Sequence, residues 1–208
     1  MTVPVFICAR DRLNCMKRLV AWLEEAGHDR ITFLDNDSAW PPLLDYYAPT
    51  PHEVVRLGEN LGSKALWKAG LVPDEPYVYT DPDVVPVPEC PLDVVAYLAK
   101  VLATTGVPKV GLGLRIDAPF IDEASLEVET RWRDPTREHW QGLFMSPIDT
   151  TFALYPACSD FHYAAVRTGA PCELLHLPWY EKPTEEDRFY LARASTDDHG
   201  SRWARRAR

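Results

Sequence analysis

The sequence has no long apolar run, no paired-cysteine motif and no excess of positive charge. No segment approaches the length of a membrane span. The formal net charge of -9 argues against a general nucleic-acid or membrane-surface binder. The cysteines are odd in number and no Cys-x-x-Cys occurs, so the sequence predicts neither a zinc site nor a disulfide framework.

The N-terminal segment also lacks the charged start and the long apolar stretch of a signal peptide. It passes directly into a short apolar segment, Val3 to Cys8, so we expect a cytoplasmic protein with reduced thiols. The sequence contains no internal repeat and no low-complexity block. If so acidic a protein handles phosphates, it needs a metal ion or local basic groups to offset repulsion.

The length of 208 residues and the apolar fraction of 46% predict one domain with a well-formed core. We expect this domain to cover residues 1–194. Residues 195–208 are polar and end in Arg-Arg-Ala-Arg, which is typical of a flexible tail.

Strand and helix patterns alternate in the first half of the chain. Apolar and β-branched runs predict strands at 3–8, 31–34, 54–57 and 77–80, and helical spacing predicts helices at 11–26, 41–47 and 62–69. Asp11 is the expected cap of the first helix, and Gly27 is its expected end. This alternation of strands and helices predicts an α/β fold, with a Rossmann-like, mixed but mostly parallel sheet and helices on both faces.

The second half of the chain is less regular. We predict a helix at 91–102, a strand at 109–116, a long loop with or without a short helix at 117–135, strands at 151–155 and 163–167, and a helix at 185–194. Glycines at positions 111 and 113 interrupt the predicted strand 109–116. Glycine within a strand marks close approach by a ligand or by another backbone.

Two aspartates follow the predicted strand 77–80 directly. Asp81 and Asp83 are separated only by Pro82, which restricts the backbone of Asp81 as well as its own. Open α/β sheets bind ligands at the carboxyl ends of their strands. A hard divalent cation usually takes one or two protein carboxylates and completes its shell with water and phosphate oxygens. The pair is therefore either a metal site or a solvated turn.

Three further polar segments are expected at the same edge of the sheet. They are Cys8-Ala-Arg-Asp11, Asp35-Asn-Asp37 and Asn60-Leu-Gly62. Their candidate ligand contacts are Ala9, Arg10, Asp35, Asn36, Asp37 and Asn60. Carboxylates here can accept hydrogen bonds from a ribose or a base, and a helix start attracts anions. Taken singly, each segment also reads as a turn or a cap.

The order of these segments resembles the nucleotide-sugar half of GT-A glycosyltransferases, most closely the family 2 type. The resemblance covers residues 3–86 and implies a nucleotide-sugar and metal half at 1–86 and an acceptor half at 87–194. It implies that Asp35 or Asp37 contacts the uracil or ribose of a nucleotide-diphospho-sugar. It also implies that Asp81 and Asp83 hold Mg²⁺ or Mn²⁺ against the diphosphate, with Asp81 touching the donor as well.

One motif departs from the family pattern. Family members carry Ala-Arg-Asn-x-Gly where this chain has Leu66-Trp-Lys-Ala-Gly70, so that only the glycine matches. This departure leaves the contact with the base, and hence the donor, open. Lys64 and Lys68 are candidates to support the phosphates, or they are solvated lysines.

In the second half, Asp149 precedes a short apolar strand. It is the candidate general base or a contact to the donor sugar, because an acceptor hydroxyl is a poor nucleophile until its proton is removed. A capping aspartate is the other interpretation. His176 lies in the apolar stretch Leu174–Pro178. The resemblance implies a late histidine ligand to the metal, and imidazole suits Mn²⁺ alongside oxygen ligands. A core histidine is the other interpretation, and His199 is a weaker rival.

Three residues are candidates to contact the acceptor or the sugar. Arg115 and Asp117 follow the predicted glycine-bearing strand and can hydrogen-bond sugar hydroxyls, or they pair with each other. Trp179 can offer an aromatic face to a sugar ring, or it belongs to the core.

The predicted function is therefore that of a metal-dependent glycosyltransferase of hexosyltransferase type. It would use Mn²⁺ or Mg²⁺, a nucleotide-diphospho-sugar donor, and a small-molecule, glycan or lipid-linked acceptor. The alternatives are a sugar-phosphate nucleotidyltransferase and a non-catalytic nucleotide-sugar-binding protein of the same fold. Against the former, the loop after the first strand has no glycine. The stereochemistry and the oligomeric state stay open.

Overall fold

Two β-sheets organise the chain, which the computed structural model describes over residues 2–140 and 142–194. Within these residues the strands are, in chain order, β1 (Val5–Ala9), β2 (Ile31–Asp35), β3 (Glu53–Arg56), β4 (Tyr77–Thr80), β5 (Val84–Pro86), β6 (Val110–Gly111), β7 (Gly113–Leu114), β8 (Glu138–Trp140), β9 (Leu143–Met145), β10 (Ala153–Tyr155), β11 (Val166–Thr168) and β12 (Glu173–His176). The α-helices are α1 (Asn14–Glu25), α2 (Pro41–Tyr47), α3 (Ala65–Lys68), α4 (Val94–Thr105), α5 (Glu123–Trp132) and α6 (Glu185–Arg193). The predicted mixed α/β architecture is confirmed.

The larger sheet has the strand order β3-β2-β1-β4-β10-β6-β11-β9-β8 in the described part of the chain. Strand β1 pairs in parallel with both β2 and β4, and β2 pairs in parallel with β3. Strands β1, β2 and β4 are almost entirely buried, which explains their continuous apolar runs. Helix α1 adds its buried face to this core, namely Met16, Leu19, Val20 and Leu23, as the helical spacing of these residues predicts.

Strand β10 lies between β4 and β6 and runs antiparallel to both, with Ala153 opposite Tyr79 of β4. An antiparallel strand begins beside the point where its neighbour ends. The segment before β10, which contains Asp149 and Thr150, therefore lies beside the carboxyl end of β4. Asp81 follows β4 at that point.

The smaller sheet has the order β5-β12-β7. Strand β12 runs antiparallel to β5, with His176 opposite Val84, and we call this pair the β5–β12 ribbon. Asp83 immediately precedes β5, and its carbonyl oxygen accepts a hydrogen bond from the amide of Leu177 at 2.9 Å. The ribbon thereby places His176 next to Asp83.

The continuous strand predicted at 109–116 is wrong, because the chain divides at Leu112 between the two sheets. A Cβ atom on Gly111 would lie 2.7 Å from the Phe152 carbonyl oxygen, and one on Gly113 would lie 2.4 Å from the Thr168 carbonyl oxygen. Close approach by another backbone, one of the two explanations that the sequence left open, accounts for both glycines.

The segment 117–135 contains the ten-residue helix α5 rather than mostly loop. Asp122 caps this helix by accepting a hydrogen bond from the amide of Ser125 at 2.9 Å. The buried side chain of α5 is Glu129, which pairs with Arg167 at 2.6 Å. The helix therefore lacks the apolar stripe by which sequence patterns reveal helices. Strands β5, β8, β9 and β12 are likewise absent from the predictions.

Helix α1 begins at Asn14, later than predicted, and Asp11 does not cap it. Asp11 has a positive φ of 52°, and its carboxylate accepts hydrogen bonds from the amides of Ala39 and Trp40 at 2.6 and 2.8 Å. Glu186 of α6 takes the place of the cap by accepting a hydrogen bond from the amide of Asn14 at 3.0 Å. A residue distant in sequence thus supplies the carboxylate that the helix start requires.

The predicted flexible tail at 195–208, with His199 in it, lies outside the described residues. Within the described ranges, no helix has both the length and the apolar character required to cross a membrane. The expectation of one domain over residues 1–194 stays a prediction.

Candidate functional site

The polar residues that follow β1, β2 and β4 meet at one edge of the larger sheet. Ala9 lies opposite Asp35 in the parallel ladder, and Asp81 follows β4 on the other side of β1. Asn36 holds the segment Asn60–Gly62 against this edge, accepting from the Leu61 amide at 2.6 Å and donating to the Gly62 carbonyl at 3.1 Å. The structure thus brings the four predicted segments together, at the strand ends where open α/β sheets bind ligands.

Asp81 is a largely buried carboxylate at this edge. The Thr150 hydroxyl donates a hydrogen bond to it at 3.1 Å. Burial, followed by the negative charges of Asp83 and Asp149, raises the pKa of Asp81 to about 8. Burial is the larger of these causes, and the two neighbouring carboxylates add negative charge that disfavours ionisation of Asp81. The site therefore favours a cation.

Asp83 lies between a histidine and an arginine. Its Oδ2 atom is 3.5 Å from His176 Nε2 and 3.4 Å from Arg12 Nη1. Burial alone would raise the pKa of Asp83, but the charges of His176 and Arg12 hold that pKa well below its ordinary value. Arg12 also lies 3.4 Å from Asp187 of α6, and its guanidinium is 4.8 Å from the centre of the Tyr190 ring. Asp83 is consequently held in its charged form.

The chemistry of these residues fits a divalent cation shared with a ligand. In the described part of the chain, no group of three or more His, Cys, Asp and Glu side chains is arranged to hold a metal ion by itself. Asp81 and Asp83 nevertheless offer the one or two carboxylates that a hard cation takes when phosphates and water complete its shell. His176 Nδ1 has no hydrogen-bond partner among the described residues, while Nε2 faces Asp83.

Helix α6 lies across the loop that follows β1. Arg193 pairs with Asp11 at 2.6 Å and with Asp37 at 3.2 Å. Arg10 donates a hydrogen bond from Nη2 to the Arg193 carbonyl oxygen at 3.1 Å. Two of the predicted ligand contacts, Arg10 and Asp37, are therefore engaged with α6. A ligand that uses them must share or replace these contacts.

The residues after β2 differ in how accessible they are. Asp35 and Asn36 are each 3% exposed, and Asp35 is paired with Arg56 at 2.9 Å. The Asn60 side chain accepts a hydrogen bond from the backbone amide two residues later, at 3.0 Å, as in the turn that the sequence also allowed. By contrast, the Asp37 side chain is 48% exposed. Asp37 is therefore better placed than Asp35 to reach a ligand.

The two lysines near α3 have partners within the protein. The Lys64 ammonium lies 4.2 Å from the centre of the Phe161 ring and 4.8 Å from that of Tyr163. Lys68 donates a hydrogen bond to the Leu61 carbonyl oxygen at 2.6 Å. Lys68 is thus fixed to the segment that Asn60 begins, whereas Lys64 is held against the two aromatic rings.

Trp67 stands where family members carry arginine, and it belongs to an aromatic cluster. Its ring centre lies 4.7 Å from that of Tyr79, 5.3 Å from that of Tyr155 and 5.1 Å from that of Phe161. Its indole nitrogen donates a hydrogen bond to the Ser159 carbonyl oxygen at 2.9 Å. Trp67 therefore packs among aromatic side chains and offers no basic group at this position.

A fully buried lysine supports the loop that carries Asp149. Lys109 Nζ donates hydrogen bonds to the Asp149 carbonyl oxygen at 2.8 Å and to the Tyr155 hydroxyl at 2.9 Å. Burial lowers the pKa of Lys109 to about 7, even though Asp149 and Asp81 act in the opposite direction. The Asp149 side chain itself is exposed, while the next residue, Thr150, binds Asp81. Asp149 therefore presents an accessible carboxylate whose backbone is fixed.

Arg115 and Asp117 do not pair with each other. Arg115 lies 3.3 Å from Glu89 and 3.4 Å from Glu173. Asp117 accepts a hydrogen bond from the Tyr180 hydroxyl at 2.8 Å. The same hydroxyl donates to the Arg115 carbonyl oxygen at 3.1 Å, so that Tyr180 joins the two residues.

Trp179 is only 6% exposed. Its ring lies 4.6 Å from the ring of His176, at an interplanar angle of 67°. This contact orients His176 towards Asp83 and leaves little of the tryptophan face for a sugar.

Three residues at the site escape the sequence patterns, namely Arg12, Lys109 and Thr150. Arg12 adjoins Asp11 in the loop after β1, which is the one signal that points to it. Lys109 begins an apolar strand, and a lysine in such a position needs a partner. Thr150 follows Asp149 directly, but a threonine in a loop carries no signal of its own.

Comparison with family models and with curated proteins gives no match. Solved structures do match. The mannosyltransferase PcManGT from Pyrobaculum calidifontis, solved with GDP-Man and Mn²⁺, has 18% identity and a TM-score of 0.57, with 91% of this chain and 59% of that chain covered. S. aureus TarS has 10% identity and a TM-score of 0.52, with 92% of this chain and 65% of the TarS chain covered. HddC from Yersinia pseudotuberculosis, complexed with GMP-PN, has 12% identity and a TM-score of 0.50, with 85% of this chain and 94% of the HddC chain covered.

The chain spans less than two thirds of the mannosyltransferase and of TarS. It covers nearly the whole of HddC. At these identities the likeness concerns the fold and not the reaction. The chain has a GT-A-like fold.

Proposed function

We propose that this protein is a metal-dependent glycosyltransferase that moves a sugar from a nucleotide-diphosphate-sugar donor to an acceptor. Its principal support is the carboxylate pair, Asp81 and Asp83, at the carboxyl end of β4 with His176 beside it. The GT-A-like fold adds support, because the Pyrobaculum calidifontis mannosyltransferase of that fold was solved with GDP-Man and Mn²⁺.

Asp81, Asp83 and His176 are the proposed ligands of Mn²⁺ or Mg²⁺. Such a cation, when bound, neutralises charge that develops on the leaving diphosphate. The Arg12 guanidinium, 3.4 Å from Asp83, helps to keep Asp83 ionised, as a metal ligand must be. The Thr150 hydroxyl fixes the orientation of Asp81 by its hydrogen bond. Burial is the main cause of the raised pKa of Asp81, and the negative charges of Asp83 and Asp149, which a cation would offset, add to it.

The nucleotide is assigned to the edge formed by the ends of β1 and β2. The proposed contacts there are Ala9, Arg10, Asp35, Asn36, Asp37, Asn60, Lys64, Lys68 and Asp81. Asp37 is the most accessible carboxylate after β2, so we assign the ribose or base contact to it first. Asp35 and Asn36 shape the edge through their bonds within the protein.

Asp149 is the proposed general base. Its carboxylate is exposed and can take the proton of an acceptor hydroxyl during attack on the sugar. Lys109 holds its backbone in place from the buried side. Arg115 and Asp117 are proposed to contact the acceptor, and Trp179 acts through its contact with His176.

The test measures donor binding and donor breakdown with the full chain. UDP-, GDP- and dTDP-hexoses are screened by thermal shift with Mn²⁺, with Mg²⁺ and with a chelator, and released nucleoside diphosphate is quantified. Asp81→Asn and Asp83→Asn should each weaken metal-dependent donor binding at least about tenfold. Asp45→Asn, an exposed position on α2, should bind as the wild type does.

Each variant is first checked for a cooperative thermal transition without ligand, so that misfolding is not mistaken for lost binding. If no donor with either metal changes the melting temperature or gives heat in calorimetry, the proposal fails. It also fails if both aspartate variants bind donor as well as Asp45→Asn does.

A second candidate is a sugar-phosphate nucleotidyltransferase. HddC, solved with GMP-PN, is covered over 94% of its length, which is a closer match in size than the first two structures give. Such an enzyme releases pyrophosphate from a nucleoside triphosphate and a sugar 1-phosphate, whereas a glycosyltransferase releases nucleoside diphosphate from the donor. Binding of nucleotide-sugars without either release would identify a non-catalytic binding protein.

We also propose a cytoplasmic location, because the cysteines are free thiols of the kind found in reducing compartments.

A further inference from the structure

Two cysteines meet at one end of the β5–β12 ribbon. Beyond β5, the Val87 amide donates a hydrogen bond to the Glu173 carbonyl oxygen at 3.0 Å, and Cys172 precedes Glu173. The chain then turns, because the Cys90 amide donates to the Val87 carbonyl oxygen at 2.9 Å. This turn returns Cys90 to the ribbon, where the Cys90 and Cys172 thiols lie close enough to shift each other's pKa, and Cys90 Sγ donates a hydrogen bond to the Pro91 carbonyl oxygen at 3.9 Å.

The two thiols differ in access to solvent. Cys90 is 5% exposed and belongs to the apolar core, whereas Cys172 is partly exposed and packs against that core. Burial raises the pKa of both thiols, and at Cys172 the neighbouring Cys90 thiol partly opposes this rise. Cys172 is therefore the sulfur that a reagent from solvent meets first.

We propose that Cys90 and Cys172 form a reversible modification site, at which a small-molecule disulfide such as glutathione disulfide converts the dithiol into an internal disulfide. The site lies outside the residues assigned to the donor and the metal, and the proposal does not depend on the transferase function.

The exchange proceeds in two balanced steps. The Cys172 thiolate attacks one sulfur of the small disulfide, which breaks the S–S bond and expels one small thiolate. The Cys90 thiolate then attacks the Cys172 sulfur of this mixed disulfide and expels the second small thiolate. The two protons lost by the cysteines end on the two small thiols, so the protein is oxidised by two electrons and the reagent is reduced by two.

The position of the pair gives the disulfide a structural effect. The opposite end of the ribbon carries Asp83 and His176. A cross-link between Cys90 and Cys172 would therefore restrict the motion of the ribbon that holds Asp83 and His176. A disulfide that closes a long loop restricts the unfolded chain. For a protein of this size we expect a rise in Tm of about 5 °C or more.

The experiment treats the native full chain with glutathione disulfide, traps free thiols by alkylation, and maps the products by mass spectrometry without reduction. We expect a product that has lost two hydrogen atoms, a cross-linked peptide joining Cys90 to Cys172, and a Tm that rises and returns on reduction. Cys90→Ser should stop at a mixed disulfide on Cys172. The matched control, Cys158→Ser at an exposed cysteine, should cross-link as the wild type does.

Three results would overturn the proposal. One is wild-type protein that accumulates glutathione on Cys172 without closing the internal bond. Another is a cross-linked peptide that joins a different pair of cysteines. The third is closure only after denaturation. Because mapping of the wild-type protein decides all three, the conclusion does not require any variant to fold.

Discussion

Replacing Lys109 with methionine tests whether burial beneath the Asp149 loop lowers the pKa of the Lys109 amine. Lys109 is fully buried, and burial lowers its pKa to about 7, whereas a lysine in an unfolded chain has a pKa of about 10.4. Between these two values the unfolded state binds more protons than the folded state. The free energy of unfolding therefore rises with pH over this interval.

The size of the effect follows from proton linkage. From about pH 8 to about pH 9.5 the unfolded chain holds nearly one more proton at this position, which gives about 1.4 kcal/mol per pH unit and about 2 kcal/mol in all. Methionine fills a similar volume and does not titrate. The stability of the wild type relative to Lys109→Met should thus increase by about 2 kcal/mol across the interval.

Urea unfolding followed by tryptophan fluorescence, at several pH values and with a chelator present, measures this difference. Lys100→Met is the matched control, because Lys100 is exposed on α4 and its pH dependence should follow that of the wild type. A difference between wild type and Lys109→Met that stays constant with pH would refute the depressed pKa and the physical reasoning behind it.

Two further predictions concern stability. Glu186→Ala should lower the free energy of unfolding by about 2–4 kcal/mol, because the amides at the start of α1 lose a charged acceptor. Glu185→Ala, next to it and exposed, should change it by less than about 0.5 kcal/mol in urea unfolding, and equal losses would contradict the cap. Gly113→Ala should lower the free energy of unfolding by more than about 2 kcal/mol, because the new Cβ atom would lie 2.4 Å from the Thr168 carbonyl oxygen. For Gly169→Ala the nearest atom is a Phe144 ring carbon at 3.1 Å, and the nearest backbone atom is 3.6 Å away. This variant should therefore melt higher than Gly113→Ala, and the reverse order would contradict the backbone clash.

The sequence predicts the first half of the fold well because local patterns determine its elements. Strands β1, β2 and β4 are unbroken apolar runs, and α1 has a clear buried stripe. In the second half, β6 and β7 contain two residues each, too few for a periodic pattern. Their existence depends on pairing with distant strands, which no local pattern encodes.

The candidate site likewise contains residues that the sequence reveals and residues that only distant contacts bring into place. The pair Asp81 and Asp83 is visible in the sequence because it ends a buried strand. The contact between Asp83 and His176 results from the β5–β12 pairing, and the resemblance to a family, not the residue pattern, pointed to that histidine. Lys109 and Arg12 act through contacts with residues far away along the chain, so sequence patterns missed them.

Helix α6 has a consequence for the order in which the protein folds. Its Glu186 bonds to the amide of Asn14 across a separation of 172 residues, and its Arg193 bonds to Asp11 across 182 residues. Contacts at such separations form slowly, and a ribosome delivers the first half of the chain well before α6. During synthesis the amides at the start of α1 and the Asp11 Oδ2 atom therefore lack these partners until the last described helix has been made, whereas Asp11 Oδ1 can already bind the amides of Ala39 and Trp40.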